Sequence, residues 1–212
     1  MMNMVFEEET LKAFLDELAS DSPAPGGGSA AGLAGALGAA LVSMVASLTI
    51  GSEKYRDNWE QMGEVMKESE RLRGRFLELM TEDADAFNSF MAALKLPKST
   101  DIEKSARLDA MSAAAKRITE VPLETLGLCA NAASLALKAA ELGNPNTASD
   151  AGSAALMAEA AGKAAALNVR INLSSLKDEE FASEAGRKLH AGLDALEISC
   201  RAVEAKMNEM LS

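Results

Sequence analysis

Four polar clusters in the sequence have residue types and spacings suited to ligand binding or acid–base chemistry. The first is the glycine run Gly26, Gly27 and Gly28, followed by Ser29. Such a run before a helix exposes backbone N–H groups where the helix dipole favours an anion or an electron-rich ligand atom. The Lys-Ser/Thr ending of a P-loop is missing and no strand pattern precedes the run, so nucleotide triphosphate binding is excluded. A tight corner between two closely packed helices explains the same glycines equally well.

A second cluster lies in the polar segment 143–150, just before a predicted helix. It supplies amides, hydroxyls and one carboxylate: Asn144, Asn146, Ser149 and Asp150. The structural alternative is a helix cap formed by Ser149 or Asp150.

The last two clusters are pairs of residues four apart. Asn168 and Asn172 fall on one face of a predicted helix, and amides buried there would need partners. Asp83 shares a helix face with Phe87 in the same way, although a solvated acidic stretch would look alike.

Helices must position these clusters, because apolar residues recur at helical spacing and no segment alternates with period two. The helices are predicted at about 8–20, 30–50, 56–94, 101–142, 149–172 and 178–211. Ser29 is the predicted cap of the second helix, and Pro122 should kink or break the fourth. The predicted fold is all-α, a single domain over residues 1–212, built as an antiparallel bundle of six to eight helices with a central small-residue helix.

The segment Ala30 to Ile50 carries no charge and has about the length that crosses a bilayer. It consists mainly of alanine, glycine and serine, with small residues spaced four apart, as in Ala31/Gly35 and Gly35/Ala39. This spacing lets helices approach closely. We therefore predict a buried helix, at the centre of the bundle or at a subunit interface, and no membrane association.

Composition narrows the class of protein. A net charge of −11 argues against a nucleic-acid partner, which needs clustered lysine and arginine. Cys129 and Cys200 have no metal-binding or redox spacing and read as plain buried thiols of a reducing compartment. The first residues carry acids where a signal peptide carries basic residues, so a cytoplasmic location is expected. The single histidine, His190, is predicted to be structural or solvated.

Nine motifs in one order, from about residue 10 to 196, carry a resemblance to a known family. They are Pro23-Ala-Pro-Gly-Gly-Gly-Ser29, Leu48-Thr-Ile-Gly51 with Lys54-Tyr55, Asp83-x-x-Ala-Phe87, Leu96-Pro97, Arg107, Pro122-Leu123, Gly143-Asn144-x-Asn146, Ser149-Asp150, and Asn168-Val169 with Ile171-Asn172. The sequence thereby resembles the cyclodeaminase/methenyltetrahydrofolate cyclohydrolase family of folate one-carbon metabolism. It departs from the family's pattern at Ser52 and Glu53, where further lysines are expected to hold a polyglutamate tail.

The resemblance implies an all-helical homodimer with a folate pocket near the subunit boundary, and a reaction that needs no metal or organic cofactor. A cyclohydrolase adds water to 5,10-methenyltetrahydrofolate, giving 10-formyltetrahydrofolate. A cyclodeaminase closes 5-formimidoyltetrahydrofolate with release of ammonia, giving the methenyl compound. Because the chain is too short to include a formimidoyl-transferring domain, we favour the cyclohydrolase. The cyclodeaminase and a non-catalytic folate-binding helical dimer stay as alternatives.

On this reading Asp150 and Asp83 are the candidate acid–base carboxylates, since one carboxylate near the methenyl carbon can exchange protons with water and the leaving nitrogen. Lys54 would bind the glutamyl end of folate or act as a general acid. The predicted substrate-binding residues are Gly26, Gly27, Gly28, Ser29, Tyr55, Arg107, Asn144, Asn146, Ser149, Asn168 and Arg170. We expect these side chains to converge beside the glycine corner, within one chain or across a two-fold contact.

Overall fold

A computed structural model describes residue 6 and residues 10–211 of the chain. Its α-helices are α1 (Leu11–Leu18), α2 (Gly27–Ile50), α3 (Trp59–Leu94), α4 (Asp101–Leu142), α5 (Ala148–Leu173) and α6 (Glu179–Leu211), with short 3-10 helices at Glu53–Asn58 and Pro145–Thr147. These described ranges contain no strand. The all-α prediction is therefore confirmed, with six α-helices. The predicted start of the first helix at Glu8 lies outside the described residues.

Helix α2 is the central helix of the bundle and packs against α3, α4 and α5. Its small residues allow this, because neighbouring helices occupy the space that larger side chains would need. A Cβ atom at Gly35 would lie 2.5 Å from the Phe76 ring, and one at Gly38 would lie 2.9 Å from the Ala154 carbonyl oxygen. Among the described helices α2 alone has the length and hydropathy of a membrane span, yet its inner face is buried in the bundle, as predicted.

Of the helices that pack against α2, α3 and α5 run antiparallel to it. On α3, Ser69 and Met80 hydrogen-bond to Ser43 and Ser29 respectively, so rising numbers on one helix meet falling numbers on the other. Helix α5 behaves alike, with Asn168 beside the start of α2 and Ala154 beside its middle. Residues from distant parts of the sequence therefore gather at each end of α2.

Helix α4 continues through Pro122, so of the predicted kink or break the break does not occur. Proline has no N–H, so the carbonyl of Ile118, four residues earlier, loses its helical hydrogen-bond donor. The Asn172 side chain on α5 supplies the donor instead, with Nδ2 2.6 Å from that oxygen. Asn172, one of the polar residues singled out in the sequence, thus stabilises the contact between α4 and α5.

Charged side chains join α3 to α4. Arg75 donates to Glu124 across the two helices at 2.6 Å and to Glu82 on its own helix at 2.5 Å, and Glu82 also accepts from Arg117. The side chain of Arg75 is only 25% exposed. Solvent therefore screens the ion pairs of Arg75 less than it screens ion pairs between fully exposed side chains.

The two thiols are free. Cys129 is buried as predicted, and burial raises its pKa. Cys200 is only partly buried, and burial raises its pKa to about 11. Both groups are therefore protonated at neutral pH and poorly nucleophilic.

Candidate functional site

A buried hydroxyl and a carboxylate meet at the amino-terminal end of α2. The Ser29 hydroxyl lies 2.9 Å from the Met80 carbonyl oxygen and 3.1 Å from Oδ2 of Asp83. Both partners belong to α3, and Asp83 is half-buried. Ser29 and Asp83, predicted from separate motifs, are thus brought together, and we call this group with its glycines the glycine-end cluster.

The position of the Asp83 carboxylate leaves no room for a side chain at Gly28. A Cβ atom added at Gly28 would lie 2.6 Å from Oδ2 of Asp83 and still closer to Cγ and Oδ1. The carboxylate therefore occupies the space where any other residue would place its side chain. Gly27 differs, since its Cβ position is at an ordinary 3.5 Å from Nδ2 of Asn168, and Gly26 faces open space. The three glycines serve different purposes although their sequence context is uniform.

The electrostatics of Asp83 favour proton exchange. Burial raises the pKa of Asp83, and the hydroxyl and backbone N–H of Ser29 lower it again in part. The start of α2 also places a positive helix end beside the carboxylate. A carboxyl group balanced in this way can serve as a base or an acid nearer to neutral pH than an exposed aspartate can.

Ser29 itself does not cap α2, contrary to prediction. The helix begins at Gly27 and its N-cap is Gly26, so Ser29 lies inside the first turn. It is fully buried, and its hydroxyl faces α3. In this chain Ser29 therefore holds Asp83, and its predicted contact with a substrate has no open approach within the described fold.

A second polar group lies at the other end of α2, and we call it the tyrosine-end cluster. The Tyr55 hydroxyl donates to Oδ1 of Asn144 at 3.0 Å, and the same oxygen accepts from the backbone N–H of Asn146. Lys54 is exposed, with its ammonium 5.3 Å from the centre of the Tyr55 ring. Four predicted site residues are thus neighbours here.

Two residues that sequence reasoning missed hold this cluster in place. The buried Thr49 hydroxyl accepts from the backbone N–H of Asn144 at 2.9 Å and donates to the Val45 carbonyl. Asn58 donates from Nδ2 to the Leu142 carbonyl at 2.7 Å. The signal for Thr49 was a hydroxyl on the buried stripe of an otherwise apolar helix, where a polar group needs a partner.

Ser149 and Asp150 lie in the first turn of α5, directly after this loop. Neither caps the helix, because α5 begins at Ala148 and its N-cap is Thr147. Ser149 is exposed and Asp150 half-buried. Asp150 has no hydrogen-bond or ion-pair partner among the described residues, which leaves its carboxylate available to a ligand.

The two predicted arginines lie apart from both clusters' hydrogen bonds. Arg107 donates from Nη2 to the Leu94 carbonyl at 3.1 Å and so closes the turn between α3 and α4. Arg170 is exposed on α5, two residues beyond Asn168, near the glycine end. Arg107 thus has a structural contact that already explains its presence.

Within one chain the two clusters are far apart. From Ser29 to Thr49 helix α2 rises about 30 Å at 1.5 Å per residue. A single small ligand cannot contact Asp83 and Asn144 of the same chain across that distance. No group of three or more potential metal-ligating side chains occurs in the described part of the chain.

An exposed apolar face runs between the two clusters. Leu37, Met44 and Leu48 lie on the outer side of α2, and Leu37 is 51% exposed. Helix α5 adds Leu156, Met157, Leu167 and Ile171 on its own outer side. The two helices adjoin here, since Met157 Cβ is 3.4 Å from the Cβ position of Gly38. We call this surface the α2–α5 face; exposed apolar patches of this kind are typical of subunit contacts.

The chain is similar in sequence to a family profile and to named enzymes. The family profile described as formiminotransferase-cyclodeaminase matches residues 10–191. The methenyltetrahydrofolate cyclohydrolase of Methylorubrum extorquens is 46% identical over 181 residues, covering 85% of this chain and 87% of that protein. The formimidoyltransferase-cyclodeaminase of Gallus gallus is 38% identical over 175 residues, 82% of this chain, but the chain spans only 32% of that protein.

A solved structure is similar over its whole length. The formiminotetrahydrofolate cyclodeaminase of Thermotoga maritima superposes with a TM-score of 0.88 at 29% identity, covering 98% of this chain and 100% of that one.

Proposed function

The chain belongs to the formiminotransferase-cyclodeaminase family, and on that premise we propose that it is a 5,10-methenyltetrahydrofolate cyclohydrolase acting as a homodimer. The 46% identity to a protein of that name, over 87% of its length, supports this reaction. The reaction adds water to the methenyl carbon and opens the ring to 10-formyltetrahydrofolate. It needs no cofactor, because water and protons are the only other reactants.

The observation that carries the proposal is that the glycine-end and tyrosine-end clusters lie at opposite ends of the exposed, apolar α2–α5 face. A two-fold axis perpendicular to α2, near Leu37 and Leu41, would lay two copies of the α2–α5 face against each other with their α2 helices antiparallel. Each contact between the two copies then occurs twice, with the roles of the copies exchanged. The glycine-end cluster of each copy would thereby face the tyrosine-end cluster of the other, giving two complete sites.

In each composite site Asp83 is the proposed base. As the water oxygen bonds to the methenyl carbon, Asp83 takes one of the water's protons. The bond between that carbon and N5 then breaks, Asp83 returns a proton to N5, and the hydroxyl proton leaves to solvent as the formyl C=O forms. One proton is released overall, as the loss of the cationic charge requires. A base with a raised pKa suits both proton transfers.

The second copy would supply binding groups. Its Asp150 carboxylate would face the cationic methenyl bridge, and its Asn144 and Tyr55 would orient the pterin. Lys54 is exposed and has no carboxylate partner among the described residues, so it suits the anionic glutamyl end of the substrate. A cytoplasmic location belongs to the proposal, in keeping with the two free thiols.

A second candidate reaction is the cyclodeaminase. The structural similarity to a protein with that name favours it. The same acid–base carboxylate could protonate departing ammonia, so the arrangement alone does not separate the two reactions. A non-catalytic folate-binding dimer is the third candidate.

Substrate consumption separates these candidates. The purified protein is given 5,10-methenyltetrahydrofolate and, in a parallel reaction, 5-formimidoyltetrahydrofolate, and the methenyl absorbance is followed against buffer. A cyclohydrolase accelerates loss of absorbance in the first reaction and has little effect on the second. Faster gain of absorbance in the second alone would identify a cyclodeaminase. Unchanged rates in both, together with a folate-dependent rise in Tm, would indicate a binding protein.

A further inference from the structure

The hydroxyl of Ser29 has two acceptors and a single hydrogen. Met80 O lies 2.9 Å away and Oδ2 of Asp83 lies 3.1 Å away, on the same helix. Ser29 is fully buried, so water cannot serve as an alternative partner. Met80 O belongs to the interior of α3, where the backbone of the next turn also supplies a donor. The Ser29 hydrogen is therefore free to serve either acceptor.

The better acceptor depends on the protonation state of Asp83. When Asp83 is a carboxylate, its charged oxygen is the stronger acceptor and takes the Ser29 hydrogen. When Asp83 carries its proton on Oδ2, that O–H donates to the Ser29 oxygen, and the Ser29 hydrogen turns to Met80. When the proton is on Oδ1, Ser29 still donates to Oδ2. Every state leaves the three oxygen atoms satisfied in the same positions.

We propose that Ser29 is a positioning residue which holds the Asp83 carboxyl in one place in both protonation states, its hydroxyl hydrogen alternating between Asp83 and Met80. The inference rests on the proposed function, in which Asp83 takes a proton from water and then returns one to N5. Only hydrogen atoms have to move between these two steps, so the carboxyl stays aligned with the substrate throughout. Gly28 completes the arrangement by leaving room for the carboxyl on its other side.

Few charges compete with Ser29 for control of Asp83. Helix α2 has no charged side chain. On α3, Glu82 is engaged with arginines and Asp85 is exposed. On α5, the nearest charged residue in sequence to Asn168 is Arg170, which is exposed. The balance at Asp83 is accordingly set by burial against its hydrogen bonds to Ser29.

The test uses Ser29→Ala, with Ser29→Cys as a variant of similar size and weaker hydrogen bonding. Loss of the hydroxyl should lower kcat about tenfold near neutral pH, in keeping with loss of one hydrogen bond to a charged group, and leave KM unchanged. The pKa of Asp83 should rise, so the lower limb of the pH–rate profile should move to higher pH and activity should recover there. Ser29→Cys should fall between Ser29→Ala and the wild type.

A double-mutant cycle shows whether Ser29 acts through Asp83. In an Asp83→Asn background, Ser29→Ala should cause no further loss of turnover. An additive loss would overturn the proposal, as would a raised KM with unchanged kcat, which would indicate direct contact with the substrate. A loss of kcat equal at every pH would also overturn it, because that result reflects a general structural defect.

A measurement without substrate keeps this inference separate from the proposed reaction. The Asp83 carboxyl is titrated by carbon NMR in wild type and in Ser29→Ala, with Asp83→Asn identifying its signal. A higher pKa in Ser29→Ala supports the role of Ser29 even if the protein proves to be a cyclodeaminase. An unchanged pKa refutes that role even if cyclohydrolase activity is found.

Discussion

Replacing Gly28 with alanine is the smallest change that should disable Asp83 while leaving the bundle folded. The new Cβ atom would lie 2.6 Å from Oδ2 of Asp83, with the other carboxyl atoms closer still. Carbon and oxygen atoms that are not bonded approach to about 3.3 Å, so the carboxyl must move by roughly 1 Å or more. The Asp83 side chain can rotate away, but it then loses the hydroxyl of Ser29.

The two consequences differ in size. A displacement of about 1 Å in a catalytic group can cost about 100-fold in rate, so turnover of Gly28→Ala should fall by about that factor. The free energy of unfolding should change little. Alanine in a helix is favoured over glycine by up to about 1 kcal/mol, which offsets most of the lost hydrogen bond to the carboxylate, about 1.5 kcal/mol. The Tm should accordingly stay within about 4 °C of the wild type.

The assay compares kcat and Tm of Gly28→Ala with two matched glycine replacements. Gly63→Ala and Gly74→Ala each add the same atom in open space on α3, away from both clusters. Both controls should retain activity within about threefold. If Gly28→Ala keeps wild-type turnover, or if either control loses as much, the assigned role of the Asp83 position is refuted.

Three further changes probe the charge, the packing and the subunit contact. Asp83→Asn should lower turnover by about 100- to 10,000-fold, leaving a measurable residual rate, and should raise the Tm. Burial lifts the pKa of Asp83 in the folded state, so the native protein loses stability as pH rises from the ordinary aspartate pKa through the raised value. The variant should lose this dependence in melts recorded across that range. Gly35→Ala should lower the free energy of unfolding, measured in urea, by about 1–3 kcal/mol, because its Cβ would lie 2.5 Å from the buried ring of Phe76. Gly74→Ala places its Cβ in open space and should change that free energy by less than about 1 kcal/mol. Leu37→Asp should yield a helical monomer with less than about a tenth of wild-type activity, because Leu37 is 51% exposed and a charge there opposes burial between two copies. Light scattering gives the oligomeric state, and a dimer of normal activity would contradict the α2–α5 interface.

Much of the fold follows from local sequence patterns. Uncharged small residues predicted the central position of α2, because such a helix gains little from solvent contact and permits close approach. Pro122 shows the limit of local reasoning. Its effect depends on whether another chain segment satisfies the Ile118 carbonyl, and the donor, Asn172, lies 54 residues away. That pairing requires the register of α4 against α5, which no local pattern contains.

The candidate site was predictable in its residue types more than in its arrangement. Asp83 and Ser29 were both identified, yet nothing local shows that the carboxylate lies against Gly28 or that Ser29 is fully buried. Asn144 and Tyr55 likewise meet only because α2 ends beside the loop after α4. Convergence of these groups in one site stays a prediction, and it depends on a second copy of the chain.

The most direct test of this composite site is activity complementation between two nearly inactive variants. One variant carries Asp83→Asn, which disables the glycine-end cluster, and the other carries Asn144→Ala, which disables the tyrosine-end cluster. After unfolding and refolding together, about half of the dimers should be mixed, and each should contain one intact site of two. The mixture should recover about a quarter of wild-type turnover, from two preparations that each have very little activity alone. Mixed dimers that form but stay inactive would contradict the composite site.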